Sequence, residues 1–140
     1  MQMKDQALLV SDDRQLIPQA YRLLRQMGFW TALLSDGGKL PGELALFAEA
    51  GKAVRLVVID RKQLPRFADR VLFRPRAGWP WPEAMVVVGH ESEGGISRLA
   101  GKLGMLSSPA VVVEAAASDL PDAVAQALDR RVEAETDAGK

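Results

Sequence analysis

Two periods of apolar residues alternate along this chain, and the switches between them lay out its elements. Ala7-Leu-Leu-Val10 is a short continuous apolar run, the pattern of a strand buried on both faces. From Gln15 the period turns helical. Leu16, Ala20, Leu23, Leu24 and Met27 fall on one stripe, with Arg22, Arg25 and Gln26 opposite. Pro18 suits the first turn of that helix, and Gly28 reads as its C′ stop. Residues 29–34 form a second strand, closed by the turn signal Ser35-Asp-Gly-Gly38. A helix over residues 41–50 is carried by Leu44, Phe47 and Ala48 and stopped by Gly51.

Residues 54–59 are a third strand, 85–88 a fourth and 110–113 a fifth. Phe67, Val71 and Leu72 place a helix over about residues 64–73. Prolines at 75, 80 and 82 make residues 74–82 irregular. Ile96, Leu99, Ala100 and Leu103 predict a short helix before Gly104. The last helix starts near Asp119, whose spacing to Asp122 resembles a capping box, and Leu120, Val124 and Leu128 are its core stripe. Residues 1–132 then make one domain, and the polar residues 133–140 a charged tail or linker.

Five strands alternating with helices predict an α/β fold, a three-layer sandwich around a parallel sheet with right-handed crossovers. The size suits a flavodoxin-like five-stranded sheet of order 2-1-3-4-5, whose switch point lies between strands one and three.

Composition adds mainly exclusions. A length of 140 residues with 48% hydrophobic and 26% charged residues fits a single soluble globular domain. Zero formal net charge supplies no global pull toward nucleic acid or membrane. With no cysteine, disulfides and thiolate metal sites are excluded. No signal-peptide core opens the sequence and no apolar run reaches the length of a membrane span, so a cytoplasmic protein is expected.

The chemistry sits where strands end. Strand one runs into Ser11-Asp12-Asp13 and strand three into Asp60. In an open parallel sheet the carboxyl ends share one edge, and ligands bind in the crevice there. Asp12, Asp13 and Asp60 could converge on a magnesium ion, which takes hard oxygen ligands, and Asp60 could accept a phosphoryl group with the metal offsetting charge. The plainer reading of Asp13 is a helix cap.

These residues resemble a response-regulator receiver domain. The resemblance covers about residues 6–132 and is strongest over Leu8 to Phe29, "LLVSDDRQLIPQAYRLLRQMGF", with "LVVID" at strand three. Matching the helix and its Gly-Phe ending without a gap puts Ser11 and Asp12 on the family's acid pair, with Asp13 on the acid that often follows. Sliding by one residue keeps Asp12-Asp13 as the pair but requires a deletion. Asp60 falls on the phosphoacceptor. The resemblance implies a place in bacterial two-component signalling, phosphorelay or transcription regulation, and dimerisation through about residues 96–132; no cofactor is required, magnesium is an optional ligand, and an enzyme is the least favoured class.

Three positions depart from the family. Receivers carry Thr or Ser at the end of strand four, where this chain has Gly89, and Ser92 lies three residues further on. They carry Lys at the end of strand five, where this chain has Glu114. No Lys or Arg occurs between Lys102 and Arg130, so that loss is independent of alignment. The switch aromatic corresponds to Val112. If Glu114 stood about 4 Å from Asp60, repulsion at an effective dielectric of about 20 would cost roughly 4 kcal/mol. The expectation is a degenerate pseudo-receiver acting by protein contact or homodimerisation. The alternatives are an atypical receiver still phosphorylated on Asp60, and a small ligand-binding α/β module using Ser11, Gly89 and Ser92.

Other features have plain and sharp readings. Arg61, Lys62, Arg66, Arg70, Arg74 and Arg76 face only Asp69 in their stretch. A solvated helix face explains them; a partner patch is the sharper reading, and the neutral chain argues against nucleic-acid binding. Trp79 and Trp81 flank Pro80 and are either an interface or cover for a satellite core. His90, the sole histidine, lies near Glu91 and Glu93, where a metal or acid–base role competes with the plainer reading of an incidental histidine; Gly94-Gly95 before a helix could cradle a phosphate but lacks any recognised spacing. No base, nucleophile and oxyanion set can be assembled, so no catalytic residues are assigned.

Overall fold

The computed structural model describes residues 5–52, 54–67, 82–89 and 111–138. Five strands, β1 (Gln6–Val10), β2 (Trp30–Leu34), β3 (Val54–Asp60), β4 (Ala84–Val88) and β5 (Val111–Ala115), form one sheet of order β2-β1-β3-β4-β5. Every neighbouring pair is parallel. This is the flavodoxin-like topology that the strand and helix alternation predicts.

The uninterrupted apolar strands reflect two covered faces. Ala7, Leu9, Leu56, Val58, Val86, Val88 and Val113 pack on one face with Leu16, Ala20 and Leu24 of helix α1 (Leu16–Gln26). Leu120, Ala123, Val124 and Ala127 of the C-terminal helix (Leu120–Ala138) complete that layer. Leu8, Val10, Val57, Ile59, Met85 and Val87 pack on the other face with Leu40 and Leu44 of helix α2 (Leu40–Glu49), and with Leu64 and Phe67. Adjacent residues of β1 thus serve opposite layers, as the two-residue strand period requires. Each fully buried Leu, Val or Ile contributes about 1.5–3 kcal/mol.

Both predicted glycine stops are present, at φ 93° for Gly28 and 74° for Gly51. After α1 the Gly28 N–H donates to Arg25 O (3.1 Å) and the Phe29 N–H to Leu24 O (3.0 Å). After α2 the Gly51 N–H donates to Ala48 O (3.0 Å) and the Lys52 N–H to Phe47 O (2.9 Å). These are Schellman closures, and only the left-handed residue lets the chain reverse into the next strand.

Two boundaries differ from expectation. β5 reaches Ala115 rather than stopping at residue 113, because the ladder continues with Val87 beside Glu114 and Val88 beside Ala115. Pairing with β4 outweighs the weak strand preference of Glu and Ala. The C-terminal helix continues to Ala138 through residues read as a tail. Ala, Glu and Arg are good helix formers, so the polar composition does not end it. The predicted helix over 64–73 is described only to residue 67. The helix at 96–103, the proline-rich stretch through residue 81, Trp79, Trp81, His90, Ser92 and Gly94-Gly95 lie outside the described residues.

Candidate functional site

The sheet register brings the ends of β1 and β3 level, since Val10 pairs with Ile59. Ser11 therefore faces Asp60 across the strand ends. The Ser11 hydroxyl donates to Asp60 Oδ2 (3.0 Å) and accepts from the Asp13 N–H (3.0 Å). The Ser11 N–H donates to Leu34 O (2.9 Å), tying the same residue to β2. Ser11 is fully buried and Asp60 only 5% exposed. The other carboxylate oxygen, Oδ1, accepts from the Lys62 N–H (3.1 Å), and the Asp60 carbonyl accepts from the Gln63 N–H (2.8 Å). Both oxygens of this buried carboxylate thus have a donor, as a buried charge requires.

The three acids of the sequence reading separate. Asp13 Oδ1 accepts from the Gln15 N–H (2.8 Å) and the Leu16 N–H (3.3 Å), capping α1. Asp12 is exposed to solvent. Asp60 alone sits inside the crevice, hydrogen-bonded to a neutral hydroxyl. Among the described residues no three His, Cys, Asp or Glu side chains group closely enough to hold a metal ion. The physical reason lies in the first turn of α1, whose unpaired N–H groups draw the Asp13 carboxylate to themselves.

At the next strand end the Arg61 N–H donates to Val88 O (2.7 Å) and the Gly89 N–H to Ala115 O (3.0 Å). The stem of Arg61 lies over Gly89. A β-carbon at position 89 would stand 2.7 Å from Arg61 Cδ and 2.8 Å from its Cβ. The space that a side chain at position 89 would occupy is filled by the residue following Asp60. Val112 and Glu114 lie within β5, level with Met85 and Val87. β4 separates β5 from β3, so the Glu114 and Asp60 backbones stand about 10 Å apart, two strand spacings.

A second contact at this edge has no sequence signature. The Gly37 N–H donates to Gln63 Oε1 (3.0 Å), and Gln63 is buried. A β-carbon at Gly37 would overlap the Gln63 carbonyl oxygen. Asp36 Oδ1 accepts from the Gly38 N–H (2.9 Å) and lies 3.5 Å from Arg66 Nη1. The hydrogen bond from Gly38 holds the Asp36 carboxyl below its ordinary value, with Arg66 and Lys39 adding to the effect against some desolvation. The turn after β2 is thereby clasped to the turn after β3, three residues from Asp60. The sequence showed a turn at 35–38 and a run of charge at 61–66; their docking arises only from the strand order. A separate groove along α1 is lined by Gln15, Pro18, Gln19, Arg22, Leu23 and Gln26, and none of the candidate residues lines it.

No family profile matches the chain, and no curated protein matches it. Solved structures do. A CheY-like response regulator receiver domain from Methanospirillum hungatei JF-1 aligns with TM-score 0.60 at 15% identity, over 94% of this chain and 98% of that one. A signal receiver domain from Vibrio parahaemolyticus aligns with TM-score 0.57 at 17% identity, over 96% and 97%. A de novo designed Rossmann 2x3 protein aligns with TM-score 0.55 at 11% identity, over 91% of each chain. A designed protein matching almost as well shows what such likeness carries: architecture, with function resting on the site. The chain has the α/β fold found in response-regulator receiver domains.

Proposed function

We propose that this chain is a receiver-like regulatory domain of two-component signalling that acts through contact with a protein partner or a second copy, without ordinary phosphotransfer at Asp60. The observation that carries the reading is the direct Ser11–Asp60 hydrogen bond. A phosphoacceptor carboxylate needs a free oxygen to attack, and a cation to offset the charge that gathers on the transferred group. Here Oδ2 is held by a hydroxyl and Oδ1 by a backbone N–H. The Arg61 stem covers Gly89 beside them. Ser11, at the place of one member of the family's acid pair, brings no charge to a metal.

Incubation with acetyl phosphate, or with beryllofluoride, in the presence of magnesium tests this. The expected result is an unchanged intact mass and unmoved amide resonances at residues 11, 60 and 62. A stoichiometric acylphosphate on Asp60, or large shifts around it, would establish an atypical working receiver instead.

A further inference from the structure

Among the described residues the exposed large apolar side chains are Tyr21, Met27, Trp30, Leu33 and Leu46. All but Leu46 fall within residues 21–33, on the C-terminal half of α1 and on β2. Trp30 is 49% and Leu33 50% exposed. β2 is the outermost strand of the sheet, hydrogen-bonded to β1 on one side. Its outer row of N–H and C=O groups faces away from the sheet. Proteins guard such edges with charged residues, proline or a bulge. Trp30-Thr-Ala-Leu-Leu34 has neither charge nor proline, and its pairing register with β1 is unbroken.

Charge indicates what the edge receives. From residue 14 to residue 35 the chain holds Arg14, Arg22 and Arg25 and no Asp or Glu. The Arg25 guanidinium carbon lies 5.3 Å from the Trp30 ring centroid and 6.0 Å from that of Tyr21. Stacking on two rings holds this cation beside the strand. Neither Arg22 nor Arg25 forms an ion pair with a described residue.

We propose that the β2 edge binds an extended acidic segment of another protein as an added strand. Its main chain would complete the outer ladder, its apolar residues would extend the sheet face that carries Trp30, and its carboxylates, on the opposite face beside Leu33, would meet Arg25 and the basic face of α1. A second copy fits less well. Two β2 edges paired about a two-fold axis would set Arg22 and Arg25 of one copy toward those of the other. The surface gives a location to the protein contact proposed above, and it would stand even if Asp60 proved phosphorylatable.

The probe is a capped heptapeptide alternating Val with Glu, beside its counterpart with Lys in place of Glu, titrated into the full chain. Binding of the acidic peptide should shift amide resonances of residues 30–34 and the Trp30 indole. Affinity for the Lys peptide should be at least about tenfold weaker, a difference of about 1.4 kcal/mol. Arg25→Glu should produce a similar loss while leaving the circular dichroism spectrum intact. Added salt should weaken the acidic complex. Equal binding of both peptides, no binding, or shifts confined to residues away from β2 would overturn the proposal. So would a dimer in sedimentation whose interface protects the β2 amides from exchange.

Discussion

The side chain of Arg61 lies across Gly89, so a β-carbon at position 89 would come within 2.8 Å of Arg61 Cβ. Cβ is fixed by the backbone, unlike the movable Cδ, so rotamer changes alone cannot make room. Gly89→Ser should therefore cost about 1–3 kcal/mol as an overpacked site. Arg61→Gly in the same chain should recover part of the loss, with a coupling of about 1 kcal/mol or more in a double-mutant cycle of urea denaturation. Additive effects would show that the two residues do not share this volume.

Removing the Ser11 hydroxyl strips Asp60 Oδ2 of its donor inside a buried crevice. Ser11→Ala should lower unfolding free energy by about 1–3 kcal/mol, the cost of an unsatisfied buried acceptor. Ser11→Asp should be destabilised without metal, because two carboxylates then share the crevice. Magnesium should stabilise that variant by mass action while leaving the parent unchanged. Thermal unfolding with and without magnesium measures both.

Gly37 approaches the Gln63 backbone more closely than any side chain permits. Gly37→Ala should cost about 1–3 kcal/mol. Because the obstacle is the Gln63 carbonyl oxygen, shortening the Gln63 side chain should not relieve it. Gln63→Ala should act separately, leaving the Gly37 N–H without its acceptor, and raise hydrogen exchange at that amide.

Asp36 has a folded-state acidity below its ordinary value of 3.8. A carboxyl depressed by folding contributes stability that is fully present above its unfolded value and lost as pH falls through the folded one. Asp36→Asn should thus flatten the stability profile below about pH 4 and leave the acid-side slope from other carboxyls. Denaturation midpoints from pH 7 to pH 2 for the two proteins provide the check. The carboxyl is open to solvent, so its share of the acid transition should be small and salt-sensitive.

The strands, the covering of both sheet faces and the helix stops were legible because each follows from local pattern, and the strand order followed from the fold class they imply. A parallel strand covered on both faces must be apolar without alternation, as Leu56–Ile59 is, and a chain reversing after α1 needs the φ that Gly28 adopts. The meeting of β1 and β3 ends was legible too, since topology alone places them side by side. Which side chain of Ser11-Asp12-Asp13 turns toward Asp60 was not. Three adjacent polar residues look alike in sequence, and backbone direction with competition from the α1 N-terminus selected Ser11 for the crevice and Asp13 for the cap. The extension of β5 to Ala115, the Arg61 stem over Gly89 and the Gln63–Gly37 clasp had no local signature. Each joins residues well separated along the chain, and only the packed register of the sheet sets the distance between them.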